Sequence, residues 1–180
     1  MTCIVAVTDG DRVLVGGDGA GVNGARVEMR ADAKVVRNGA WVLGVAGSFR
    51  LRDVLAYRFQ PPTPTPETDL DPFMAVTFVD ALRECLKEAG FAQTDNDREW
   101  CDGLLVAAWR GHLWRIDSDY QVGRPALGYT AIGSGAPYAF GVLYASEGDD
   151  AETRVLMALS AATCFSGSVS EPFRVLATEM

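Results

Sequence analysis

The chain opens on two short apolar runs, residues 3–7 and 12–15, with Asp9-Gly10 between them. An Asp-Gly pair between apolar runs predicts a hairpin, because these residues accept the positive φ of a two-residue loop. With that loop, Thr8 pairs with Asp11, Thr2 falls opposite Gly17, and Asp18 lies beside it. A polar, Gly-rich segment over 19–32 follows. A second hairpin is predicted for 33–37 and 40–46, folded at Asn38-Gly39. Residues 4–7 and 41–43 are apolar without alternation, so both strands are expected to be covered on both faces.

Helical spacing takes over at Gly47-Ser48 and runs to about residue 59, with Leu51, Val54 and Leu55 on one face. The proline-rich run 60–66 cannot continue a helix and reads as an extended connection. A second helix is predicted over 71–89, where Met74, Phe78, Ala81, Leu82 and Cys85 form a core-facing stripe. A polar loop over 91–100 precedes strands at 103–109 and 112–116, flanking an Arg110-Gly111 turn. A strand at 129–132 leads through Gly133-Ser134-Gly135 into a helix to about 145, with Pro137 in its first turn. A further helix over 151–165 and a last strand within 172–177 complete the chain. Hairpin links make the sheets antiparallel, and strands apolar on both faces need two covers. The inferred fold is a four-layer α/β/β/α sandwich of two antiparallel sheets, in one domain spanning 1–180.

Composition narrows the partners. A formal charge of −8, with no basic cluster among the 16 Lys and Arg, speaks against nucleic acid. No apolar run reaches the roughly 18 residues of a membrane span, and no secretory signal opens the chain, so a cytoplasmic location is expected. The four cysteines (Cys3, Cys85, Cys101, Cys164) form no C-x-x-C pair, and His112 is the single histidine. That composition speaks against a zinc site and a Ser-His-Asp triad, and no cofactor is expected.

The candidate chemistry gathers at Thr2. A threonine hydroxyl needs an adjacent base, and Thr2 would carry one in its own α-amine after loss of Met1. Such an amine titrates near ~7.7–8.0, so a useful fraction is neutral at neutral pH. Lys34 interrupts an apolar strand, and a buried lysine needs a partner, for which Asp18 is the candidate. The Lys34 cation would favour both the neutral amine and the developing alkoxide. The backbone N–H of Gly47, between a strand and a helix, is placed to meet an oxyanion. Ser134, on its tight turn, could orient the amine.

At these residues the chain resembles the N-terminal nucleophile hydrolases of the proteasome β subunit and HslV kind. Thr2-Cys3-Ile4-Val5 with Gly16-Gly17-Asp18 is similar to their nucleophile strand and its acidic partner. Asp32-Ala33-Lys34-Val35-Val36 resembles their lysine strand, and Gly44-Val45-Ala46-Gly47 their oxyanion segment. Ala131-Ile132-Gly133-Ser134-Gly135-Ala136-Pro137-Tyr138-Ala139 resembles the segment whose serine lies beside the N-terminal amine. Ser166-Gly167-Ser168-Val169 resembles the Ser-Gly turn near that amine, which adds Ser166 to the site. The resemblance implies a threonine peptidase acting on peptides or unfolded proteins, assembled as stacked homo-oligomeric rings and fed by an ATPase unfoldase. It also puts Val45 at the first specificity pocket, implying cleavage after apolar residues. Thr163 stands where the proteasome branch usually has an aspartate. Two readings stay open: an active peptidase, and a catalytically inactive ring or shell protein with the same fold.

Overall fold

The computed structural model describes residues 1–95 and 97–179. Its frame is two antiparallel sheets. The first has the order β12 (Tyr129–Ile132), β1 (Ile4–Asp9), β2 (Arg12–Gly17), β13 (Arg174–Ala177). The second has the order β11 (Val122–Gly123), β10 (His112–Ile116), β9 (Gly103–Trp109), β6 (Trp41–Gly47), β5 (Val35–Asn38). Helices α4 (Ala136–Ala145) and α5 (Ala151–Phe165) cover the outer face of the first sheet. Helices α1 (Phe49–Tyr57) and α3 (Val79–Glu88) cover the second.

The unbroken apolar runs resolve into two faces. Ile4 and Ala6 point into the layer between the sheets, where they meet Val42, Val106 and Ala108. Val5 and Val7 point the other way, into the layer shared with Leu143, Val155 and Leu159. In the second sheet Leu43 and Val45 face Leu51, Leu55 and Phe78. Burying each such Val, Leu or Ile contributes about 1.5–3 kcal/mol, so the three cores dominate the stability of the sandwich.

The first hairpin departs from the expected register. Asp9 pairs with Arg12 and Ile4 with Gly17, so the loop is Gly10-Asp11. Gly10 has φ +59°, which suits the first loop position of a type II′ turn. Asp9 stays in the strand, where its carboxylate holds Arg12 Nη2 at 2.8 Å. The slip is two positions, so every side chain keeps its face. Thr2 therefore lies level with Gly19, and Cys3 sits opposite Asp18. The second hairpin behaves alike: Asn38 pairs with Trp41, leaving Gly39-Ala40 as the loop. Asn38 is drawn into the strand by its side-chain amide, which donates to Leu55 O and Phe59 O, both at 2.7 Å.

A polar segment with no predicted strand and an expected loop both carry strands. Residues 19–32 contain the hairpin β3 (Ala20–Asn23) and β4 (Arg26–Met29), and residues 91–100 contain β7 (Gln93–Asp95) and β8 (Arg98–Trp100). Asn96, inside the expected loop, lies outside the described residues. The helix expected at 71–89 begins as α2 (Leu70–Pro72), widens into a π-helical stretch at Phe73–Phe78, and continues as α3.

The antiparallel order brings several chain segments to one end of the sandwich. The start of β1 lies beside the ends of β2 and β12, while the start of β5 lies beside the end of β6.

Candidate active site

Thr2 is held at that end by the turn that follows β12. Its backbone N–H donates to Ser134 Oγ at 3.3 Å. Its carbonyl accepts from Gly135 N–H at 3.1 Å and from Ser134 Oγ at 3.3 Å. This close approach is possible because position 133 is a glycine: a Cβ there would overlap the Thr2 carbonyl oxygen, and Gly133 has φ +92°. Thr2 itself is 2% exposed.

Asp18 and Lys34 form a buried ion pair beneath it. Lys34 Nζ is 2.9 Å from each carboxylate oxygen of Asp18. Asp18 also accepts from Cys3 N–H at 2.8 Å and Ala20 N–H at 3.1 Å. Each oxygen thus receives two donors, which engages the carboxylate fully. Burial pushes the Lys34 ammonium below the ordinary lysine range, and the Asp18 charge pulls it back.

The Met1 carbonyl oxygen collects the remaining donors, Thr2 Oγ1 at 2.7 Å and Lys34 Nζ at 3.3 Å. The nucleophile candidate, the lysine cation and the peptide bond to Met1 therefore meet at one atom. Cys3, the next residue, does not compete as a nucleophile. Burial, with the Asp18 charge adding to it, pushes its thiol up to about 12.

Thr2 with Ser134 and Asp18 with Lys34 are thus two directly bonded pairs, linked to each other through the Met1 carbonyl oxygen. Gly47 is not bonded to them; its neighbour Ala46 comes nearest, with its Cβ 3.3 Å from where a Cβ at Gly133 would stand. Gly47 closes β6, is exposed, and is followed by Ser48, whose side chain caps α1 by accepting from Leu51 N–H at 3.2 Å. Ser166 does not reach Ser134 or Thr2 directly. Its hydroxyl lies 3.1 Å from Ser168 Oγ, which lies 3.3 Å from Ser134 Oγ. Ser168 is 5% exposed and was not among the candidates read from the sequence. The repeated serine of Ser166-Gly167-Ser168 was the available signal.

Thr163 donates to Ser160 O of its own helix at 2.7 Å. Val45 is buried in the core against α1. A cleft beside Phe49 is lined instead by Gly21, Val22, Asn23, Arg26, Glu28 and Arg30. His112 lies on the β9–β10 hairpin, stacked between Trp109 and Trp114. Among the described residues no group of His, Cys, Asp or Glu could hold a metal ion.

No protein-family model matches the chain. Over 141 residues it is 30% identical to the ATP-dependent protease subunit HslV of Caldicellulosiruptor saccharolyticus, covering 77% of this chain and 74% of that one. Among solved structures, Thiobacillus denitrificans BPH in complex with epoxomicin superimposes with a TM-score of 0.81 at 23% identity, covering 98% of each chain. Eukaryotic HslV from Trypanosoma brucei superimposes with a TM-score of 0.71 at 26% identity, covering 99% of each chain.

Proposed function

The chain belongs to the HslV family of proteasome-like proteases, and from that premise we propose that it is a threonine endopeptidase of a ring compartment, with Thr2 as nucleophile once Met1 is removed. The observation that carries this reading is the convergence of Thr2 Oγ1 and Lys34 Nζ on the Met1 carbonyl oxygen, at 2.7 and 3.3 Å. Excision of Met1 exposes the Thr2 α-amine beside Ser134 and leaves the Lys34 cation next to the hydroxyl.

The reaction then follows from what each group can give. The amine takes the proton of Thr2 Oγ1, and the oxygen attacks the carbonyl carbon of the substrate peptide. Lys34, held charged by Asp18, favours the alkoxide. The N–H of Gly47 meets the oxyanion of the tetrahedral intermediate. Collapse breaks the C–N bond, the protonated amine passes its proton to the departing amine, and an ester to Thr2 remains. Water, deprotonated by the same α-amine, hydrolyses that ester and restores the threonine.

The HslV relative is named as a subunit of an ATP-dependent protease. By analogy, peptides or unfolded proteins are the substrates, stacked homo-oligomeric rings the working state, an ATPase unfoldase the partner, and the cytoplasm the compartment. The inactive-shell reading applies to any form that keeps Met1, because Thr2 N is then an amide and no base is present. Intact mass before and after treatment with a threonine-reactive β-lactone separates the two readings. Loss of one methionine and gain of one adduct, absent in Thr2→Ala, supports the peptidase. A mass that has lost Met1 and takes no adduct overturns it.

A further inference from the structure

We propose that Ser168 is a positioning residue for the Thr2 amine, the middle of a three-serine relay that fixes Ser134. The inference rests on the peptidase reading above.

The number of protons fixes the direction of every bond in the relay. Four contacts link the group: Thr2 N to Ser134 Oγ at 3.3 Å, Ser134 Oγ to Thr2 O at 3.3 Å, Ser134 Oγ to Ser168 Oγ at 3.3 Å, and Ser168 Oγ to Ser166 Oγ at 3.1 Å. The available donors are one backbone N–H and three hydroxyl protons, so each contact has one proton. A carbonyl oxygen cannot donate, so Ser134 must give its proton to Thr2 O. The contact between Ser134 and Ser168 must then be donated by Ser168, and the next by Ser166. One polarity satisfies every contact: Ser166 to Ser168 to Ser134 to the Thr2 carbonyl.

In that polarity Ser134 donates once and accepts twice, from Thr2 N–H and from Ser168. Its hydroxyl cannot rotate without breaking a bond. After Met1 is removed, one amine hydrogen stays on Ser134 and the lone pair is left for Thr2's own hydroxyl. Without Ser168, Ser134 keeps only its contacts to Thr2, and its second lone pair is open. The charged residue that could have steadied this region is absent, since position 163 is a threonine bonded to Ser160 O. Ser168 supplies the hold from a buried position in the turn after α5.

The test uses the methionine-free protein and two readouts, the rate of Thr2 acylation by the β-lactone and peptide turnover. Ser168→Ala is expected to lower the acylation rate and kcat by about tenfold with KM unchanged, the effect of losing one ordering hydrogen bond in the reacting geometry. Ser168→Thr, which keeps the hydroxyl, restores both rates. Ser166→Ala, one link further out, lowers them by about threefold. Wild-type rates in Ser168→Ala overturn the inference. So does a loss that Ser168→Thr leaves in place together with a raised KM or a lowered unfolding midpoint, which would mark a packing role. If methionine-free wild type takes no adduct, the peptidase reading itself fails and the relay's role goes with it; if wild type reacts and Ser168→Ala reacts equally fast, only the relay fails.

Discussion

Lys34 Nζ lies 2.9 Å from both oxygens of Asp18, with the two side chains 5% and 0% exposed. At that depth each charge depends on the other. Removing one partner leaves an uncompensated buried charge, which costs about 3–5 kcal/mol, whereas replacing both by apolar groups is often neutral. Lys34→Met and Asp18→Leu should therefore each destabilise strongly, and the double variant should recover most of the loss. Activity should stay absent in all three. Chemical denaturation with a peptidase assay checks this; activity retained in Lys34→Met would remove the lysine from the chemistry.

The same pair should set an alkaline limit on catalysis. Burial lowers the Lys34 pKa from its ordinary 10.5, and Asp18 opposes the shift. Raising the pH strips the proton that favours the alkoxide, so kcat/KM should fall on the alkaline side below pH 10.5. Asp18→Asn removes the opposing pull and should move that limb lower still. A pH–rate profile of wild type and any residually active variant reads both effects; an alkaline limb that stays put in Asp18→Asn contradicts the assignment.

Excision of Met1 should compete with folding. Met1 itself is 63% exposed, but Thr2 is 2% exposed and the intervening carbonyl is gripped by Thr2 Oγ1 and Lys34 Nζ. A methionine aminopeptidase needs that bond in an extended, accessible segment. Folded protein that still carries Met1 should keep its mass when given the enzyme, and protein refolded by dilution into the enzyme should lose one methionine. Rapid trimming of the folded form would mean that this end of the sandwich opens readily.

Gly133 has no room for a side chain. A side chain there must displace the Thr2 carbonyl, and its φ of +92° is strained for any L residue. Gly133→Ala should cost about 1–3 kcal/mol of stability. The displacement of Thr2 should slow β-lactone acylation by about a hundredfold, the scale expected of a misplacement near 1 Å. Thermal unfolding and acylation rates, measured together, separate the two; unchanged acylation would show that Thr2 tolerates the shift.

Legibility in the sequence followed burial. The runs 4–7 and 41–43 are apolar on both faces, and that alone implied a covered sandwich. Lys34 among valines demanded an acid, and Asp18 was the acid at hand. The hairpin β3–β4 was not legible, because every residue of Arg26–Met29 is exposed and its polar–apolar alternation over four residues points to no core. The hairpin registers were misjudged because Asp9 and Asn38 were counted as loop residues. Side-chain bonds draw them into strands: Asp9 accepts locally from Arg12, and Asn38 donates to Leu55 O of α1 and to Phe59 O just beyond it. Ser168 escaped notice because a serine in a Ser-Gly-Ser turn is ordinarily a loop residue. Its place between two other hydroxyls depends on a contact 34 residues away in sequence.

The grip on Thr2 has a practical corollary. Chain ends are usually the first part of a protein to fray. Here the carbonyl of residue 2 is clasped by two donors from the turn after β12, so the new end made by losing Met1 inherits the stiffness of a sheet interior. A tag fused ahead of Thr2 would keep its nitrogen an amide and leave the hydroxyl without its base. Handles for purification belong on the other terminus, where Arg174–Ala177 forms an edge strand beside β2.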